Sequence, residues 1–189
     1  EQMTKRAVDA LNSCDVIAGY HVYVNLIKED FADKKFLSTG MRKEVDRCKL
    51  ALEEALKGQT VAMISSGDAG VYGMAGIMYQ VAADHPEVEI EVVPGITAAC
   101  SGAAVLGAPL ISDFCLISLS DLLTPWEKIE KRLYCASQAD FCICLYNPSS
   151  IKRHDYLQRA CDIMLKNQRG DVPAGIVRNI GREGEAYEI

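Results

Sequence analysis

Apolar positions along the chain fall into two alternating rhythms. Short, nearly unbroken apolar runs over residues 15–19, 60–65, 114–118, 140–146 and 173–179 predict strands. The run over 89–93 reads as a further strand, and 187–189 as the start of another. Between these runs the apolar residues recur with helical spacing over 3–13, 22–27, 42–57, 71–83, 97–106, 124–137 and 153–167. The first helix carries Ala7, Val8 and Leu11 on one side. The helix over 42–57 sets Val45, Leu50, Leu52, Ala55 and Leu56 among charges and stops at Gly58. Thr124-Pro125-Trp126-Glu127 reads as a capped helix start, with Thr124 as cap, Pro125 in the first turn and Glu127 closing a capping box. The helix over 97–106 is built of Ala98, Ala99, Cys100, Ser101, Gly102, Ala103 and Ala104, small enough to lie close to a sheet or a ligand.

Strand and helix alternate throughout, and continuous apolar strands belong to sheets covered on both faces. The expected class is therefore α/β with mostly parallel sheets. The break at 109–113 divides the chain into an N-terminal α/β domain, 1–112, and a C-terminal one, 113–189. The chain opens inside a helix and closes at the start of a strand, so both termini read as incomplete parts of a longer protein.

Composition narrows the partners. The 189 residues carry a net charge of −6 without a basic block, which argues against nucleic acid or an anionic membrane as partner. The apolar stretch 96–111 is broken by Thr97, Ser101, Gly102, Gly107 and Pro109 and is too short to span a bilayer, which takes about 20 residues. The eight cysteines form no C-x-x-C pair and sit in apolar segments, so they read as buried thiols in a reducing, cytoplasmic compartment, with no metal site.

Candidate chemistry gathers at strand ends. The first is Ser65-Ser66-Gly67-Asp68, continuing to Gly76 with glycines 67, 70, 73 and 76 at every third position. Glycines between a strand and a helix mark the edge where open α/β sheets bind small ligands. The spacing is not the G-x-G-x-x-G dinucleotide fingerprint. Asp68 reads equally as a helix cap in a plain turn. The other strand ends are Pro94-Gly95-Ile96-Thr97, Tyr146-Asn147-Pro148-Ser149-Ser150 and Arg178-Asn179-Ile180-Gly181-Arg182. In a parallel layout all four would share one edge of their sheets, and a ligand between the two halves would touch them all. His21, His85 and His154 have no nucleophile in a recognisable setting, and neither a zinc motif nor a phosphate loop occurs.

These residues resemble the S-adenosylmethionine-dependent tetrapyrrole methylases. Gly67-Asp68 after a strand and the Pro-Gly-x-Thr-Ala element over 94–98 are the shared signals. The segments ISLSDLLTPWEKIEKRL (117–133), LYNPSS (145–150) and RNIGREGE (178–185) are most similar to the branch that methylates C17 of (cobalt-)precorrin-3B, with ring contraction, in cobalamin biosynthesis. Two departures stand out. The family's first strand and Gly-x-Gly-Pro-Gly loop are missing, as are its last strands, and Ser112 stands where many relatives carry His.

The resemblance implies two domains with the methyl donor in the cleft between them. The donor would be held by Ser66, Gly67, Asp68, Val71, Thr97, Ala98, Tyr146, Asn147, Gly175 and Arg178. Ser120 and Arg182 would meet the tetrapyrrole, Asp121 is the candidate acid or base for ring contraction, and a homodimer is the family precedent. Alternatives are another corrin or porphyrin methylase, a diphthine synthase, a nicotinamide-dependent Rossmann oxidoreductase, or a non-catalytic α/β binding module.

Overall fold

A computed structural model of the chain describes residues 3–148 and 153–189. The chain forms two compact units, Glu1–Ala98 and Ala99–Ile189.

In the first unit the elements run α1 (Lys5–Ser13), β1 (Val16–Tyr20), α2 (His21–Ile27), β2 (Lys35–Thr39), α3 (Glu44–Ala55), β3 (Val61–Met63) and α4 (Ala75–Val81). The three strands form a parallel sheet in the order β2-β1-β3. Central β1 buries Val16, Ile17 and Ala18 completely, which is why its unbroken apolar run was readable. Leu11, Cys14, Ile17 and Phe31 form the core, packed by Ile27, Phe36, Ala62 and Ile64. Thr4 caps α1 by accepting the N–H of Ala7 at 3.2 Å.

Three expectations change here. Strand β2 had no counterpart in the sequence reading; it is an edge strand, only partly buried, in the lysine-flanked segment KFLST. The expected strand over 89–93 joins no sheet among the described residues. That segment is held by side chains instead: Tyr79 donates to the Ile90 carbonyl at 3.4 Å, Thr4 donates to the Pro94 carbonyl at 3.2 Å, and Arg6 pairs with Glu91. Alternating polarity makes no strand without a ladder partner. Helix α3 buries Leu52 of the expected stripe together with Arg47, Cys48 and Ala51, whereas Val45, Leu50 and Leu56 are exposed.

The second unit contains α5 (Ala98–Val105, starting at the junction), β4 (Phe114–Ser118), α6 (Trp126–Gln138), β5 (Cys142–Tyr146), α7 (Tyr156–Met164), β6 (Ile176–Arg178) and β7 (Ala186–Glu188). Strands β4 and β5 pair in parallel, whereas β6 and β7 form an antiparallel ribbon. Ile117, Leu119, Ile129, Leu133, Ala160 and Ile163 are the core, packed by Cys115, Ile143 and Leu145 from one face of the β4–β5 pair. The opposite face carries Cys142, Cys144 and Tyr146, and the Tyr146 hydroxyl accepts the N–H of Ala99 in α5 at 2.7 Å. A Cβ on Gly102 of α5 would lie 3.3 Å from Ile180 and 3.6 Å from Val177, so a small residue there lets the helix approach β6 closely. This packing assigns α5 to the second unit.

The expected capping box is replaced. Pro125 takes the cap position of α6, no side chain caps it, and Trp126 opens the helix. All eight cysteines are free; Cys14 and Cys48 are buried, but Cys100 and Cys135 are exposed, against the expectation of uniformly buried thiols.

Candidate functional site

The loop after β3 is longer than the sequence implied, because α4 starts at Ala75 rather than near Val71. Asp68 does not cap that helix; Met74 takes the cap position, and no side chain caps it. The Asp68 carboxylate instead accepts the N–H of Gly70 at 2.7 Å and the N–H of Gly95 at 2.9 Å. The first bond closes a turn inside the loop. The second ties it to the Pro94-Gly95 segment, 27 residues away. A carboxylate accepting two backbone N–H groups is a strong, geometrically fixed anchor.

Glycine is required at both sides of this tie. Gly67 has φ +75°, a left-handed conformation, and its open side faces the Ile96 carbonyl oxygen, Thr97 Cα and Ala98 N at 3.4–3.6 Å. A Cβ on Gly95 would overlap the carbonyl oxygen of Gly67. Gly67, Asp68, Thr97 and Ala98, singled out from the sequence, are thus brought together in one backbone-lined corner of the first unit. Ser66 is exposed beside it. Val71 lies in the same loop, its N–H donating to the Asp68 carbonyl at 3.3 Å. Such a corner presents main-chain donors and acceptors beside the Asp68 carboxylate.

In the second unit the ends of β4 and β5 are joined. Leu119 N–H donates to the Tyr146 carbonyl at 2.9 Å, and Asn147 Nδ2 donates to Ser118 Oγ at 3.0 Å. Asn147 adopts φ 52° directly after the strand, a conformation asparagine tolerates better than most residues. Ser120 N–H donates to the same Ser118 oxygen at 3.2 Å. Ser149 and Ser150 lie outside the described residues.

Asp121 follows this junction. The Tyr156 hydroxyl donates to its Oδ2 at 2.7 Å and holds its carboxyl below the ordinary carboxylate value; Arg153, with Nε 3.9 Å from Oδ1, adds to the effect. The same bond pushes the Tyr156 phenol up. Trp126 and Tyr156 pack with their rings tilted at 49° and 4.4 Å between centroids, and the Arg159 guanidinium lies 4.0 Å from the indole centroid. The segment 117–133 therefore grips the start of α7 through Asp121 and Trp126. Neither Tyr156 nor Arg159 stood out in the sequence, because both look like ordinary residues of an amphipathic helix.

Gly175 precedes β6, where a Cβ would lie 2.7 Å from Leu106, so its first role is packing against the end of α5. Arg178 ends β6, exposed and without an ion pair among the described residues. Arg182 lies in the β6–β7 turn, its N–H donating to the Asn179 carbonyl at 2.9 Å.

The family model for the tetrapyrrole (corrin/porphyrin) methylases matches residues 1–189. The chain belongs to that family. This tetrapyrrole methylase is 47% identical over 184 residues to the "Probable cobalt-factor III C(17)-methyltransferase" of Salmonella typhimurium, covering 97% of this chain and 76% of that protein. It is 48% identical over 190 residues to the "Cobalt-factor III methyltransferase" of Priestia megaterium, covering 98% of this chain but only 35% of the relative's length. Among solved structures, the methyltransferase CobJ matches with a TM-score of 0.88 and 37% identity, over 98% of this chain and 78% of that one. Tetrapyrrole methylases generally use S-adenosylmethionine as methyl donor.

Proposed function

We propose that this tetrapyrrole methylase transfers a methyl group from S-adenosylmethionine to C17 of a precorrin-3B-type macrocycle, either cobalt-factor III or its metal-free counterpart, in cobalamin biosynthesis. The observation that carries the proposal is the 47% identity, over nearly the whole chain, to a relative named for C17 methylation. A carbon–carbon bond to C17 forms as the sulfur–methyl bond breaks, leaving S-adenosylhomocysteine. The donor supplies an already activated methyl group, so the chain's main task is orientation, which is worth roughly 7–11 kcal/mol in well-aligned systems.

The corner made by Ser66, Gly67, Asp68, Val71, Thr97 and Ala98 would bind the donor through main-chain groups. Arg178 and Arg182 would engage carboxylate side chains of the macrocycle, since a guanidinium pairs with a carboxylate through two parallel bonds. Ser120 would meet the macrocycle beside them. Asp121, anchored by the Tyr156 hydroxyl, would be the acid or base for the proton moved during ring contraction. A homodimer follows the family resemblance, and a reducing cytoplasmic setting suits eight free thiols.

The test is incubation of the chain with S-adenosylmethionine and either macrocycle, read by mass spectrometry. A product one methyl group heavier, with matching S-adenosylhomocysteine, is expected. Absence of both products, or calorimetric binding of NADH in place of S-adenosylhomocysteine, overturns the proposal.

A further inference from the structure

Arg47 is a buried cation of the first unit, 4% exposed and four residues into α3. It forms no ion pair with a carboxylate among the described residues. Its guanidinium reaches three neutral acceptors instead. Nε donates to Thr39 Oγ1 at 3.0 Å, Nη2 to the Gly40 carbonyl at 3.1 Å, and Nη1 to the Met74 sulfur at 3.4 Å. The Tyr20 ring centroid lies 5.8 Å from its Cζ. Tyr20 ends β1, Thr39 ends β2, and Met74 takes the cap position of α4 at the close of the glycine loop. Met74 is held a second time, its N–H donating to Ser65 Oγ at 3.2 Å.

A buried charge without a counter-ion is expensive, and a well-packed apolar residue often serves stability as well or better. What an arginine offers here is shape: a planar fork reaching acceptors in several directions at once, which an ammonium cannot match. All its partners lie at the carboxyl edge of the sheet, where open α/β folds bind ligands.

We propose that Arg47 is a positioning residue that fixes the far end of the glycine loop. Asp68 ties the near end of 66–74 to Gly95, and Arg47 ties the distal end to the ends of β1 and β2. The functional consequence rests on the reading of this loop as the donor site, whereas the mechanical claim does not.

Two variants test it in the whole chain. Arg47→Lys keeps the charge and loses the fork; Met74→Leu keeps the volume and loses the sulfur acceptor. Hydrogen exchange read by mass spectrometry is expected to speed up in 66–74 by about tenfold in Arg47→Lys, the effect of losing one hydrogen bond of a charged donor, with β3 unchanged. Met74→Leu should move the same peptide in the same direction and decides the matter if Arg47→Lys does not fold. Unchanged exchange in 66–74, or exchange raised equally across the unit, overturns the positioning role. With the loop at the donor site, both variants should also raise KM for S-adenosylmethionine while leaving KM for the macrocycle unchanged. If the wild type binds no S-adenosylhomocysteine, the methyltransferase reading fails, and the exchange result still decides the role of Arg47. If the wild type binds it and a variant with faster exchange binds it equally well, the loop is not the donor site.

Discussion

Asp68 Oδ2 accepts the backbone N–H of Gly95 at 2.9 Å, and through that bond the loop after β3 and the Pro94-Gly95 segment of the first unit become one surface. The other carboxylate oxygen is occupied by the N–H of Gly70. Neither oxygen has a substitute nearby in chemistry: both face donors.

Asp68→Asn keeps the shape but turns one acceptor into an NH2 group facing an N–H. The half-buried setting moderates the loss, so destabilisation of about 1–2 kcal/mol is expected. Affinity for S-adenosylhomocysteine should fall roughly tenfold. Urea denaturation and isothermal titration measure the two, and a variant that binds as tightly as wild type refutes the role of the tie.

Gly95→Ala and Gly76→Ala should part company. The methyl group on residue 95 meets the Gly67 carbonyl oxygen, while at Gly76, in the first turn of α4, nothing lies within 4 Å. Overpacking against backbone is expected to cost about 1–3 kcal/mol at residue 95. At residue 76 the helix should gain up to about 1 kcal/mol from the lost freedom of glycine. Thermal unfolding of the two variants side by side checks the contrast.

The contact between Asp121 and Tyr156 predicts a defined pH window. The folded Asp121 carboxyl is more acidic than the unfolded one, so its contribution is present above about pH 4 and fades as pH falls through the lower folded value. The folded Tyr156 phenol is raised, so its contribution holds below about pH 10 and is lost as pH climbs through the raised value. Tyr156→Phe should therefore be less stable than wild type between these limits, with the difference shrinking in acid. A difference that is constant from acid to neutral pH contradicts the assignment.

Thiol reactivity should follow burial. Burial pushes the Cys144 thiol up to about 11, reinforced by the neighbouring Cys142, Cys115 and Cys100, and a thiol that stays protonated is a poor nucleophile. Iodoacetamide at pH 8 should modify exposed Cys100 and Cys135 first, and should reach Cys144, Cys14 and Cys48 only after denaturation. Peptide mapping after a short pulse reads the order directly.

A strand buried on both faces writes an unbroken apolar run into the chain, and β1 was legible for that reason; β4 and β5, which carry similar apolar runs although they are only partly buried, were legible too. Strand β2 was not, because an edge position lets lysine flank two apolar residues and dilutes the signal. The run over 89–93 failed in the opposite sense, having the alternation of a strand and no ladder to join. Among the site residues, Gly67, Asp68, Thr97 and Tyr146 were visible because each breaks a hydrophobic run at a strand end. Arg47, Tyr156 and Arg159 were invisible, since a polar residue on an amphipathic helix looks the same whether it faces water or a loop.

The sequence by itself determined the alternation of strand and helix, the positions of the glycine-marked strand ends, and, through segments such as SDLLTPW and LYNPSS, the family. Only the tertiary structure decided which backbone groups those ends present. Whether a carboxylate caps its own helix or reaches a loop 27 residues away depends on distances that local pattern does not encode. The same holds for a buried guanidinium: its partners come from the ends of β1 and β2 and the cap of α4, and their meeting is a property of the packed sheet, not of any stretch of chain.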